Sequence, residues 1–202
     1  MTIQFDYNSP VIITYLFLSL GACFLNYITK GWTNTHFFSS YPSSPLNPLT
    51  YVRLITHSIG HQNWEHLVGN FLYILLIGPM IEEKYGSTNL LAMLIVTSVV
   101  IGIFNSIIDN YVICGASGNV YMLIVLSSFS NISEGKVPLT LVLILLFYIT
   151  TELKNEFFGK EKGVYHWGHL MGAVCGLVFG FVFFRNPEIV TNTINTITNL
   201  IP

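Results

Sequence analysis

Gly115-Ala116-Ser117-Gly118 stands at the head of an apolar run, Val120 to Phe129. A hydroxyl in that position costs free energy unless it is hydrogen-bonded or lies beside water. The glycines let the backbone bend and let another helix or a substrate come close. Alone, the pattern reads as ordinary small-residue packing between membrane helices. Two other stretches change that reading. One is His66-Leu67-Val68-Gly69-Asn70; the other is Tyr165-His166-Trp167-Gly168-His169 with Gly172, Gly176 and Gly180 behind it.

The surrounding composition is that of a membrane protein. Of 202 residues, 52% are hydrophobic and 9% charged, against about a quarter charged in soluble domains. One compact integral membrane domain is expected. A formal net charge of -2 points to no nucleic acid partner. Cys23, Cys114 and Cys175 show no CxxC spacing and sit in or beside apolar runs, so buried free thiols are expected. The apolar stretch from Val11 lacks a basic leader and a small-residue cleavage pattern, so it does not read as a removable signal.

Six apolar stretches are span candidates: Val11 to Tyr27, Asn63 to Ile81, Thr88 to Ile108, Val112 to Phe129, Val137 to Thr151 and Gly163 to Phe184. Lys30 to His61 is a long, proline-containing connection whose Trp32, Phe37, Phe38, Tyr41 and Tyr51 suit a membrane interface. Glu82-Glu83-Lys84 ends the second stretch, Glu82 capping or pairing with Lys84, and Glu152 to Lys162 reads as a charged loop. This divides the chain into a polar segment, 1–10, a membrane domain, 11–185, and a polar tail, 186–202. Six spans put both termini on one side. With a cytoplasmic N-terminus, Lys84, Lys136 and Arg185 lie inside and Lys30, Arg53, Lys154, Lys160 and Lys162 outside, so the basic residues lean the other way.

Polar groups inside spans are the informative exceptions. His66 and Asn70 lie four residues apart, on one helix face about 6 Å from each other. Both can donate toward a single point. His169, Gly172, Gly176 and Gly180 also share a face, and the glycines let that helix approach a neighbour closely. If the neighbour begins at Ser117, imidazole and hydroxyl can meet. A serine is a poor nucleophile until a base takes its proton, and imidazole titrates in the right range. Fixed donors must then hold the oxyanion; His66, Asn70 and the Ser117 N–H at a helix N-terminus are candidates. With no acidic residue in a span near His169, the reading is a dyad. Tyr121, one turn after Ser117, can pack on the His169 ring and fix its orientation. The spacing of His57, His61 and His66, four and then five, does not put all three on one face, and no HExxH is present, so neither a metal nor a cofactor is expected.

These residues resemble those of the rhomboid family of intramembrane serine proteases, over roughly residues 11–185. Gly115-Ala116-Ser117-Gly118 with Tyr121 resembles its nucleophile motif. His66-x-x-x-Asn70 resembles its oxyanion pair, and His169-x-x-Gly172-x-x-x-Gly176 its histidine helix. Gly78-x-x-x-Glu82-x-x-x-Gly86-Ser87 resembles the structural motif after its second span. The resemblance implies an all-α membrane protein of six transmembrane helices in a rhomboid-like bundle, with a long first loop and a short buried fourth helix. It implies Ser117 as nucleophile, His169 as general base and then acid, and His66, Asn70 and the Ser117 amide as oxyanion donors. Gly115, Gly118, Gly172 and Gly176 would support the site. His57 and His61 resemble histidines that order the approach to the second span, His57 helping to hold water. Asn105 falls where the family has a polar residue that retains water. The family's tryptophan-arginine pair appears as Val52-Arg53, and His166 is an additional histidine one turn before His169.

Such an enzyme needs water below the membrane surface, and a short fourth helix preceded by the polar run Asn105 to Asn110, with Asp109, suits an opening to one side. It also needs an exposed carbonyl, so single-span membrane proteins whose segments unwind readily are the expected substrates, cut beside a small residue as the resemblance implies. The expected partners are these and the lipid bilayer. The family's bacterial members imply the bacterial inner membrane and a cytoplasmic N-terminus; oligomeric state is not legible. Two other functions compete. A catalytically inactive rhomboid-like protein binding membrane clients would typically lack the serine or the histidine. A transporter or channel subunit would spread its polar residues through several spans.

Overall fold

The computed structural model describes residues 7–108, 111–129, 136–158, 166–186 and 188. Among them the chain forms eight helices: α1 (Pro10–Ile28), α2 (Trp32–Phe37), α3 (Pro48–Thr56), α4 (Trp64–Tyr85), α5 (Ser87–Ile108), α6 (Ser117–Ser127), α7 (Leu139–Phe158) and α8 (His166–Arg185). α1, α4, α5 and α8 are each long and apolar enough to cross a membrane. With its composition, this makes the chain an all-helical integral membrane protein. Asp109, Asn110, Lys160, Lys162, Gly163, Tyr165, most of 1–10 and nearly all of the tail from 187 lie outside the described residues.

The central element is α6. Its 11 residues rise only about 16 Å, half of a hydrocarbon core of roughly 30 Å. Beyond Asn119 it is buried and mostly apolar: Val120, Met122, Leu123, Ile124, Val125 and Leu126 are all buried, as befits a helix enclosed by others. Lys84 Nζ donates to the Phe129 carbonyl just beyond its C-terminus at 2.9 Å, a cation at the negative end of the helix dipole. The expected start at Val112 is corrected. Ile113 exchanges both backbone hydrogen bonds with Ser40, each 2.9 Å, which ties residues 111–116 to the first loop and delays the helix to Ser117.

α1 is capped by another helix. Ser9 makes no side-chain cap; instead the buried Glu82 of α4 accepts from the Val11 and Ile12 amides at 3.0 and 3.1 Å and from Ser87 Oγ at 2.7 Å. This corrects the expectation that Glu82 caps its own helix end or pairs with Lys84. Its helix also runs on to Tyr85, where Gly86 at φ 80 ends it. The long first connection is not a plain loop, because it contains α2 and α3. Arg53 of α3, 3% exposed, donates to Tyr41 Oη at 2.7 Å and Ser43 Oγ at 2.8 Å and lies over the Tyr41 ring. Thr56 Oγ1 donates to the Phe37 carbonyl. The charged loop expected from Glu152 is corrected in part, since α7 continues through Phe158.

Candidate active site

Ser117 is the first residue of α6, and no side chain caps that end of the helix. The chain reaches it through Gly115, at φ 127, a left-handed conformation that favours glycine. The Gly115 N–H donates to the His57 carbonyl at 2.8 Å. A Cβ at 115 would lie 2.7 Å from His66 Nε2 and 3.6 Å from Asn70 Nδ2. Both donor-bearing side chains of α4 therefore close on the backbone two residues before the serine, as their spacing predicts.

Local bonds set these side chains. Asn63 caps α4 by accepting from the His66 amide at 2.8 Å, fixing where the helix begins and so which way His66 and Asn70 face. His61 Nδ1 meets the Ile59 carbonyl at 3.0 Å. A carbonyl only accepts, so Nδ1 carries the proton and Nε2 is left as an acceptor. It takes Asn70 Nδ2–H at 3.1 Å and the Ala116 N–H at 3.4 Å. One Asn70 proton is thus held by His61 while the other can be offered elsewhere. Burial, with a smaller contribution from neighbouring His66, pushes His61 down to about 4. His57, whose Nε2–H donates to the Ser98 carbonyl at 3.0 Å, is pushed down to about 4 by burial. Both are neutral at pH 7.

His169 comes from α8, which packs more extensively on α6 than on any other helix. The glycine stripe makes the approach possible. A Cβ on Gly172 would strike the Gly118 carbonyl oxygen and stand 2.9 Å from its carbon; one on Gly176 would stand 2.5 Å from the Met122 carbonyl. Gly118 in turn faces Ile101 and the Gly168 carbonyl. The His169 ring stacks on Tyr121 of α6, centroids 4.3 Å apart and planes 7° from parallel, as expected from the one-turn offset of Tyr121 from Ser117. His166 sits edge-on to His169 at 6.0 Å.

Ser117, His169, His66, Asn70 and His57 line one cavity of about 460 Å³, with Ser98, Tyr111 and Asn119 among its other polar walls. His166 does not line it. Asn105 does not reach it either: fully buried, it donates through Nδ2 to the Tyr111 carbonyl at 2.9 Å and so braces the rim. Cys114 lines the cavity, but burial pushes its thiol up to about 11, far from a thiolate at neutral pH. No carboxylate among the described residues lines the cavity. Two polar residues gain their place only in the fold. The sequence puts His61 on the approach to α4, and the fold makes it the partner of Asn70. Asn119, an amide opening an otherwise apolar run, is the signal that was there to be read.

The chain is similar to several curated proteins. It is 27% identical over 150 residues to a Haemophilus influenzae protein named rhomboid protease GlpG, covering 70% of this chain and 74% of that one. It is 24% identical to the chloroplastic rhomboid-like protein 11 of Arabidopsis thaliana, covering 79% and 59%. It is 31% identical to rhomboid-related protein 1 of Caenorhabditis elegans, covering 66% and 40%. The chain thus spans less than two thirds of the last two. The Rhomboid domain family model matches residues 48–186, which takes in the serine, both α4 side chains and the α8 histidine, and the chain therefore belongs to the rhomboid family.

Proposed function

We propose that this chain is an intramembrane serine endopeptidase that hydrolyses peptide bonds in or near the membrane-spanning segments of single-span proteins through a Ser117–His169 dyad. The observation that carries this reading is convergence. Four side chains from three helices, as far apart in sequence as His66 and His169, line one cavity. Family membership, with a relative named as a protease, gives that convergence its chemical sense.

In this mechanism His169 takes the Ser117 proton as Oγ attacks the substrate carbonyl carbon. The resulting oxyanion accepts from the Ser117 amide at the uncapped N-terminus of α6, from His66 and from the free Asn70 proton; each such donor contributes on the order of 3 kcal/mol to the transition state. His169 then gives its proton to the leaving amine. Water, deprotonated by the same ring, attacks the acyl carbon; the carbon–Oγ bond breaks and the ring returns the proton to Ser117 Oγ. Tyr121, stacked on the ring, does the orienting that a carboxylate would do in a triad. We assign α6 and α7 as the fourth and fifth elements of a six-helix bundle, 11–185 as the protease domain, and a cytoplasmic N-terminus in a bacterial inner membrane. An inactive family member is expected to lack serine or histidine, and both are present here.

The test is cleavage of a labelled single-span substrate with glycine or proline in its membrane segment, by purified protein in detergent. Wild type is expected to cut it, and Ser117→Ala and His169→Ala, with unchanged melting, are not. Equal cleavage by wild type and Ser117→Ala removes the nucleophile from the account.

A further inference from the structure

We propose that a groove between α1, α3 and α5 binds the acyl chain of a bilayer lipid, and that this occupant bears on the helix that carries Ser117. The groove encloses about 420 Å³, within the roughly 300–1,000 Å³ of small-molecule sites. Val11, Leu18, Ile55, Leu91, Leu94 and Ile95 form its apolar walls. Leu18, Leu91 and Ile95 are 54%, 48% and 37% exposed, so they form an open rim. Both α1 and α5 are able to cross the membrane, and the medium around that rim is hydrocarbon. A water-borne ligand would have to displace lipid to enter; an acyl chain is already there at solvent concentration, and it matches walls that offer dispersion contacts and little else. The contrast with the neighbouring catalytic cavity, walled by histidines and asparagine, is one of chemistry and not of size.

The floor of the groove is polar and shared. Ser58, Ser98 and Asn119 line the groove and also the catalytic cavity, while Tyr15 lines the groove. Tyr15 Oη donates to the Ser58 carbonyl at 2.9 Å and Ser98 Oγ to the Leu94 carbonyl at 2.8 Å. Both hydroxyl protons are therefore committed, and both oxygens accept from Asn119 Nδ2, at 3.1 and 3.3 Å. This fixes the amide orientation of a side chain only 2% exposed. Asn119 lies two residues after Ser117. Ser58 follows His57, whose carbonyl holds the Gly115 amide. The Tyr15 hydroxyl thus leads from the groove to both flanks of the serine. A chain seated between Tyr15 and α5 holds that ring against its two partners. The binding site stands independently of catalysis; its influence on Ser117 rests on the protease reading.

The test uses the full chain in phosphatidylcholine vesicles doped with a phosphatidylcholine bearing an acyl-chain diazirine. After illumination, adducts are mapped by mass spectrometry. Residues 91–98 and 14–18 are expected to carry several-fold more label than the exposed Leu72, Leu75 and Leu76 of α4, and Ile95→Trp or Leu91→Trp, bulky changes on the exposed rim, should cut that excess several-fold. Adding the same lipid to micelles should raise substrate cleavage several-fold in wild type and leave Ile95→Trp unchanged. Uniform labelling of all lipid-facing segments, or labelling that both rim variants leave intact, overturns the site. A lipid response retained in Ile95→Trp overturns the coupling. The labelling is read with or without activity, so loss of the protease reading leaves the binding test standing.

Discussion

The contact of α6 with α8 and the contact of α1 with α4 both place a glycine against a neighbouring helix, but the glycines face different things. Gly172 and Gly176 of α8 face backbone carbonyls of Gly118 and Met122; Gly78 of α4 faces the Ile12 side chain, whose Cδ1 and Cγ1 would stand 2.5 and 2.8 Å from an added Cβ. A carbonyl within a helix cannot move unless the helix does. A side chain can change rotamer while its backbone stays. The first contact therefore sets a separation between two helices, and the second fills space. Membrane helices gain little from burying apolar surface against one another, so close backbone approach and polar ties do the holding. The α1–α4 contact gets its tie from Glu82 on the Val11 and Ile12 amides. The α6–α8 contact joins the helices that carry Ser117 and His169, and its glycines set how closely those helices approach.

Breaking the first contact is expected to have the largest effect. Gly172→Ala forces α8 away from α6. Overpacking of this kind costs about 1–3 kcal/mol, and displacement of a catalytic group by about 1 Å costs on the order of 100-fold in rate. Cleavage assays with a melting curve should show activity falling far more than the folded fraction. Glu82→Ala tests the other contact. It strips two amides and a hydroxyl of their acceptor, and should cost about 2–3 kcal/mol while the rate per folded molecule is unchanged; a comparable loss of rate would erase the distinction.

Acid probes the tie beneath the site. His57 and His61 are held near 4 in the fold and titrate near 6.5 when unfolded. Well above pH 6.5 neither state holds an imidazole proton to a significant extent. As the pH falls from 6.5 toward 4 the unfolded chain binds protons that the fold does not, so stability declines, by at most about 1.4 kcal/mol per pH unit for each histidine. Denaturant melts between pH 7 and 4.5 should show the decline, and His57→Asn should reduce its slope by about half, the His61 share remaining. The smallest effects sharpen the comparison from the far side. Gly78→Ala should cost about 1 kcal/mol as Ile12 turns aside. Gly69→Ala, with open space around it, should be neutral or stabilise by about 0.5–1 kcal/mol through helix propensity.

Periodicity made much of this legible. The four-residue spacing of His66 and Asn70, the glycines behind His169 and the Tyr121 offset from Ser117 are each a statement about one helix face; in the fold Gly172 and Gly176 lie on the Gly118 and Met122 carbonyls, and Tyr121 stacks on His169. What stayed hidden depends on contacts distant in sequence. α6 begins at Ser117 because Ile113 pairs with Ser40, which no hydropathy window can register. Glu82 looks like a helix-end charge until its partners, some 70 residues upstream, are known. Arg53 reads as a lone basic residue until Tyr41 and Ser43 surround it. Asn119 is polar in an apolar run, yet its meaning needs Tyr15 and Ser98 from two other helices.

The central claim is that α8 delivers an imidazole that activates Ser117, and a fluorophosphonate probe tests it most directly. Peptide mapping should find the adduct on Ser117, absent in Ser117→Ala and strongly reduced in a folded His169→Ala. Labelling that persists undiminished in His169→Ala, or that falls on a different residue, would contradict it.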